Sequence, residues 1–336
     1  MAESADWRPC QPRNGGPLQR GLRERGGKRS SVGITSVATT MPISPADANK
    51  IVEQQLDYHL GEIENETTSD ALVFNGPLVD GLDDFVRDAV EARKGSSTRN
   101  KLSVLLETSG GYITVAQRIA DTFRAHYNVV DFIVPNYAMS AGTVLVMSGD
   151  AIYMDYYSVL GPIDPQVPNK DGRWVPALGY LHKYKALIDK SKTKKGLTEA
   201  ELAYLLARFD PADLYSYEQA RELSIKLLKQ WLVKYKFKDW NRTEKRGKKV
   251  TPKMKTRRAE EIAKILNDTR LWSSHARPIS MEVLKKDVNL KIEDFATNAK
   301  LSNHIKCYHQ LLRDYMAKTR SIFATHVLGR YRAIGG

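Results

Sequence analysis

Three short motifs between residues 107 and 166 carry the residue types from which a reactive centre can be built. They are Ser109-Gly110-Gly111, then Ala138-Met139-Ser140-Ala141-Gly142-Thr143, then Gly161-Pro162-Ile163-Asp164-Pro165-Gln166. A serine hydroxyl is a weak nucleophile until a base takes its proton. At the start of a helix, Ser140 would stand beside free amides, that of Ala141 included, which can stabilise a developing oxyanion. Small neighbours (Ala138, Ala141, Gly142) leave room for a substrate carbonyl. The pattern is close to a G-x-S-x-G nucleophile elbow with Ala138 in place of the first glycine. The plain alternative is that Ser140 only caps its helix, which for an isolated Ser-Ala-Gly is the better account. Gly110 and Gly111 argue against it, because paired glycines after a buried strand let the backbone approach a ligand and direct N–H groups at it. Ser109 as a simple helix cap explains one glycine better than two. In the third motif, prolines on both sides of Ile163-Asp164 stiffen the backbone and aim a carboxylate. Asp164 then suits the orienting acid of a triad, and its plain alternative is a surface turn. Together the motifs point to acyl transfer through an activated serine.

Those residues need strands and helices to hold them, and the pattern supplies both. Ala71–Phe74, Leu102–Leu106, Val129–Val134 and Ala151–Met154 are apolar runs of strand length. Between them, residues 79–94, 112–126 and 141–147 have helical spacing, with Ile113, Ala116, Ile119, Ala120 and Phe123 on one face. This β-α-β alternation predicts an α/β fold with a parallel core. Residues 45–68 read as a helical arm and 176–237 as helical, with a capping box at Thr198 and Glu201. A helix is expected at Met281–Lys286, after Pro278, and the remainder is expected to be mostly helical.

Composition sets the outer limits. The chain has 336 residues, 42% hydrophobic and 27% charged, as in an ordinary globular protein. No apolar run approaches the ~20 residues of a membrane span, so no transmembrane anchor is expected. Two cysteines, Cys10 and Cys307, cannot make a disulfide framework, which favours a reducing, cytoplasmic setting. The net charge of +13 is concentrated rather than spread. Residues 242–258 hold nine Lys/Arg against one Glu, and residues 1–40 hold seven against three acids. The run at 242–258 lacks interleaved aromatics and reads as a solvated loop, with nucleic acid or an acidic partner as the minority reading. Residues 1–40 read as disordered, without the apolar stretch of a secretory signal, and Met41 is a candidate true start. His304, Cys307 and His309 have near-ligand spacing but no supporting carboxylate or CxxC, so no metal and no cofactor is expected. His59 and His126 read as surface residues, and Trp231, Trp240 and Trp272 as core or interface anchors.

Taken in order, the three motifs resemble the Clp-protease/crotonase superfamily, and within it the serine dehydrogenase proteinase (SDH-type) family. Signal peptide peptidase A and the Clp proteolytic subunit are more distant resemblances. The likeness runs from about Ala71 to about Phe295 and is most specific between 107 and 166. It implies a Clp/crotonase-like domain over 69–295, preceded by the 41–68 arm and followed by a helical segment at 296–336. It implies Ser140 as nucleophile and an oxyanion hole from the amides of Gly110 or Gly111 and of Ala141. The Clp subunit has a histidine near the position of Asp164, so that pattern is broken here. The serine dehydrogenase proteinases have a Ser, Asp, His order instead, which implies Asp164 and a later histidine. His275 ranks first as base and His182 second. Lys183 and Lys185 follow, because signal peptide peptidases use a lysine. The resemblance implies a serine endopeptidase acting on peptide or protein substrates as a homo-oligomer. Two readings compete with it: a crotonase-like thioester enzyme, which would share the oxyanion hole without needing Ser140, and a non-catalytic oligomeric scaffold with a basic binding loop. The order Ser140, Asp164, His275 also matches an α/β-hydrolase, but this chain lacks the His-Gly-Gly oxyanion motif of that fold.

Overall fold

The computed structural model describes residues 45–168, 174–244 and 246–335. The expected disorder of residues 1–40 and the candidate start at Met41 lie outside the described residues. The chain divides into two units, Met1–Ile51 and Val52–Gly336. The described part of the first is the opening of helix α1 (Pro45–Thr67), and the second holds everything that follows.

The elements after α1 are β1 (Asp70–Asn75), α2 (Leu82–Gly95), β2 (Lys101–Glu107), α3 (Ile113–His126), β3 (Val129–Ile133), β4 (Tyr137–Ala138), α4 (Ala141–Val146), β5 (Ala151–Met154) and β6 (Val159–Leu160). Next come β7 (Gln166–Pro168), β8 (Trp174–Pro176), α5 (Ala177–Ser191), α6 (Glu199–Arg208), α7 (Pro211–Trp231), α8 (Pro252–Leu266) and α9 (Thr269–Trp272). The chain finishes with β9 (Ile279–Ser280), α10 (Met281–Lys286), β10 (Glu293–Asp294), α11 (Ala299–Thr319), β11 (Ser321–Val327) and β12 (Arg330–Gly335).

The main sheet has seven strands in the order β10-β5-β3-β2-β1-β11-β12, parallel from β10 to β1. Its central strands β1, β2 and β3 are buried on both faces, which explains why they read as almost continuous apolar runs. Alternate residues face opposite layers. Leu72, Phe74, Leu102, Val104, Leu106, Val130 and Phe132 pack with α2, α3, α4, α7 and α8. Ala71, Val73, Leu105 and Ile133 pack instead with Leu56, Leu60 and Ile63 of α1 and with Leu301, Ile305, Tyr308 and Leu312 of α11. Helix α2 shows why these segments are helical. It buries Leu82, Val86, Ala89, Val90 and Arg93 on one face, opens with Asp83 and Asp84, and closes with Arg93 and Lys94, matching the helix dipole. The capping box of α6 forms as its sequence predicts.

Two expectations need correction. The C-terminal segment is not wholly helical: after α11 the chain forms the hairpin β11–β12, and β11 pairs antiparallel with β1 inside the sheet. Its Ser-Ile-Phe-Ala-Thr-His-Val sequence is rich in β-branched and aromatic residues, and Gly329 turns the hairpin at φ 76°. The basic run at 242–258 is a loop only in its first part. Thr251 accepts a hydrogen bond from the amide of Met254 and Pro252 stands in the first turn, so α8 begins inside the run. It buries Ala259, Ile262, Ala263 and Leu266. The stretch expected to be helical over 176–237 is so, as three helices followed by a π turn at Leu232–Lys236. Trp231 and Trp272 are buried and Trp240 packs against the core.

Candidate active site

A second, small sheet brings the Ser140 motif, the Asp164 motif and His275 to one place. Its strands run in the order β4-β6-β9. Strand β4 ends two residues before Ser140. The parallel strand β6 ends four residues before Asp164, and the antiparallel strand β9 begins four residues after His275. The sheet therefore delivers three residues that are far apart in sequence to neighbouring strand ends. The local order was visible in the sequence, but strands of two residues carry no periodicity by which to find them.

Ser140 has φ 52° and ψ −119°, a left-handed, strained backbone for a residue with a Cβ. It occupies the N-cap position of α4 and makes no side-chain capping bond. Simple capping therefore does not explain this serine. A strained turn that lifts the hydroxyl out of the strand-to-helix junction is the geometry of a nucleophile elbow.

The turn is held from two sides. On one side, Thr108 donates its amide to Tyr137 O at 3.1 Å and accepts from Met139 N at 2.9 Å. On the other, the Thr143 hydroxyl lies 2.8 Å from Ala138 O and 2.9 Å from Gly161 O, and accepts from Gly161 N at 3.0 Å. Thr143 thus fastens the elbow to the loop that carries Asp164. Neither Thr108 nor Thr143 stood out as a functional residue in the sequence. The only signal for Thr143 is that it follows Gly142 with the spacing of a first helical turn.

Gly110 and Gly111 both have positive φ, 96° and 144°. A Cβ on Gly110 would come within 2.8 Å of Ser140 Cβ, and one on Gly111 within 2.2 Å of Leu78 O. Glycine is therefore required at both positions, and the loop lies directly against the serine. Their amides differ. Gly110 N donates to Thr108 Oγ1 at 3.1 Å. Gly111 lies in a short parallel bridge with Leu78, whose amide and carbonyl are taken by Gly110 O and Tyr112 N. Among the described residues the Gly111 amide makes no hydrogen bond, and neither does that of Ala141 at the head of α4.

Asp164 is fully buried, so the Gly161–Gln166 segment is no surface turn. Its Oδ1 lies 3.0 Å from His275 Nδ1, and the His275 side chain is 14% exposed. Helix α8 helps place this pair. Its last residue, Leu266, accepts the amide of Ile163 at 3.0 Å, and Trp272 Nε1 donates back to Ile265 O at 2.7 Å. His182, Lys183 and Lys185 are exposed on α5. Among the described residues no group of three His, Cys, Asp or Glu side chains could hold a metal ion. His304 faces His59, Nδ1 to Nδ1 at 3.0 Å, and His309 bonds Glu107, so the histidines of α11 point to separate partners. His59, expected at the surface, is half-buried in that pair.

The mostly parallel α/β sheet and its small partner sheet thus bring a buried Asp-His pair, a strained serine and a glycine-lined loop together. Residues 87–248 match the profile of the ClpP-like SDH-type serine proteinases. The matched region includes Gly110, Gly111, Ser140 and Asp164 but ends before His275. Two uncharacterized proteins of Methanocaldococcus jannaschii are similar: one is 32% identical over 143 residues (41% of this chain, 49% of the relative). The other is 31% identical over 136 residues, 38% of this chain and 44% of the relative. The aligned part thus spans about half the length of these curated relatives. A solved structure of the membrane-bound stomatin-specific protease 1510-N, in complex with a substrate peptide, aligns with a TM-score of 0.41 at 15% identity. It covers 79% of this chain and 85% of that one. Among the described residues no helix is long and apolar enough to cross a membrane.

Proposed function

We propose that the protein is a serine endopeptidase in which Ser140, His275 and Asp164 act as a triad. The observation that carries this reading is the 3.0 Å contact between His275 and the fully buried Asp164, on a strand end adjoining that of Ser140. An acceptor at Nδ1 fixes the tautomer with the proton on that nitrogen. Nε2 is then free to take the hydroxyl proton as Ser140 Oγ bonds the scissile carbonyl carbon. Collapse of the tetrahedral intermediate breaks the C–N bond, and His275 gives its proton to the leaving amine. Water, activated by the same imidazole, then releases the acyl group from Ser140.

The oxyanion would be bound by the amides of Gly111 and Ala141. Gly110 is the weaker candidate because its amide is already used by Thr108 Oγ1. The glycine's part is then to bring Gly111 close to Ser140 without a side chain. Exposure of His182, Lys183 and Lys185 on α5 argues against a serine–lysine dyad, since a lysine base needs desolvation to lose its proton near neutral pH. A thioester enzyme of the same fold would have no use for a nucleophile elbow. Peptide or protein substrates, self-association and a cytoplasmic setting belong to the same reading.

The test is hydrolysis of a fluorophore-labelled unfolded protein by wild type and by Ser140→Ala. Proteolysis by wild type that disappears in the variant is expected. Equal cleavage by both would remove Ser140 from the chemistry.

A further inference from the structure

We infer that His309 and Glu107 are positioning residues: through them α11 holds the end of β2, and with it the loop that sets Gly111 against Ser140. The inference rests on the serine-peptidase reading above.

Glu107 is the last residue of β2 and is buried. Its carboxylate is hydrogen-bonded to His309 Nε2 on α11, while its backbone carbonyl accepts the amide of Gly76 at 3.1 Å. The next residue is Thr108, which bonds the backbone on both sides of Ala138 and accepts the Gly110 amide on its hydroxyl. Gly110 in turn touches Ser140. Three residues of tightly bonded chain therefore separate the Glu107 carboxylate from the nucleophile. The Tyr137 phenol, on the strand that leads into Ser140, is pushed up in pKa by burial and by Glu107, with Arg313 of α11 opposing that shift.

A stabilising role alone accounts poorly for this pair. Replacing both members of a buried polar pair by apolar side chains often changes net stability little, and α11 is fixed elsewhere without this one. Tyr308 and Asp57 both bond His326, at 2.8 and 3.0 Å, and Tyr315 donates to Glu53 at 3.1 Å. The pair also borders a small cleft lined by Asn75, Pro135, Tyr308 and Leu312. What the pair adds is register between α11 and the oxyanion loop. Misplacement by ~1 Å at a reacting centre can cost ~100-fold in rate.

The experiment compares His309→Leu, which removes the donor, with His309→Gln, which keeps an N–H. Glu107→Gln serves as a second variant of nearly unchanged shape. Peptide hydrolysis and the rate of fluorophosphonate labelling of Ser140 are measured on the full chain, together with Tm. His309→Leu and Glu107→Gln should lower kcat and the labelling rate per folded molecule ~10-fold or more with KM close to wild type, His309→Leu also lowering Tm because Glu107 is left buried without its partner, and His309→Gln should recover most of the loss. A labelling rate that stays at the wild-type value in both His309→Leu and Glu107→Gln overturns the inference. So does a loss that only follows the unfolded fraction. If wild type itself takes no label at Ser140, the peptidase reading fails first, and that result is separate from either of these.

Discussion

The two ends of the parallel sheet are built on opposite principles. At the amino ends of the strands, every charge is answered. Glu64 of α1 receives the Arg93 fork at 2.9 and 2.7 Å, Arg99 at 3.1 Å and the amide of Ala71 at 2.9 Å. Asp70 accepts from Ser97 at 2.6 Å and from Tyr127 at 2.9 Å, and lies 3.1 Å from Arg93. Burial, with the bond to Asp70, pushes the Tyr127 phenol far up. At the carboxyl ends the arrangement is reversed. Ser140 is strained and makes no cap, the amides of Gly111 and Ala141 are left unbonded among the described residues, and paired glycines remove the side chains that would cover them. One end closes α1, β1, α2 and β2 together. The other leaves backbone donors unbonded, among the described residues, in the loops that meet at Ser140. Stability and reactivity are thus assigned to different edges of one sheet, and substitutions at the two edges should separate them.

The largest expected effect is on activity. Ser140→Ala should reduce kcat by ~10⁴–10⁶-fold while changing stability by no more than ~1 kcal/mol, because no capping bond is lost. Parallel hydrolysis and thermal melts check both halves of this prediction. Gly111→Val should follow. Its Cβ would meet Leu78 O and force the amide away from the serine, and loss of one oxyanion donor costs ~10²–10³ in rate. Steady-state kcat at saturating peptide is the measurement, and a fully active variant would take this loop out of the site.

At the other edge the sign of the comparison changes. Arg93→Met should leave Glu64 and Asp70 buried without their guanidinium and cost ~3–5 kcal/mol of stability, with activity per folded molecule unchanged. Denaturant titration gives the first quantity, and kcat on the soluble, folded fraction gives the second. A kcat change as large as that of Gly111→Val would show that the two edges are not independent.

The smallest effect concerns pH. Burial, and then His304, hold His59 below the ordinary imidazole value, with Glu62 opposing. Above pH ~6.5 neither the folded nor the unfolded chain binds this proton, and the residue has no effect on stability. As pH falls below that value, the unfolded chain takes up a proton that the folded chain resists, so stability declines. His59→Gln should flatten the acid side of the Tm-against-pH curve by a few degrees at most. An unchanged slope would show that the pair at His59 and His304 does not carry the titration.

How much of this was legible in the sequence follows the same division. The parallel strands and their helices could be read because burial on both faces leaves apolar runs, and one-sided burial leaves a helical stripe. The elbow and the glycine pair could be read because they need particular residue types. The hairpin β11–β12 was missed although its residues favour strand, since its place beside β1 is set by tertiary pairing after a long helix. The start of α8 was hidden by charge, and only Thr251 and Pro252 mark it. At the site, Asp164 and His275 could be proposed from order and resemblance, but what joins them is the sheet β4-β6-β9 and the hold of α8 on Ile163. The contributions of Thr108, Thr143 and His309 come from contacts across 18 to 202 residues, and no local pattern records those.

The central claim is that the carboxyl edge activates Ser140 through His275. A fluorophosphonate probe tests it most directly, because it reacts only with an activated serine, and mass spectrometry of the tagged peptide locates the adduct. The account predicts a single adduct on Ser140 in wild type. It also predicts none in Ser140→Ala, labelling slowed in His275→Ala to nearly the same extent, and wild-type rates in His182→Ala, Lys183→Ala and Lys185→Ala. Full-rate labelling of Ser140 in His275→Ala, or loss of labelling on replacing Lys183, would contradict it.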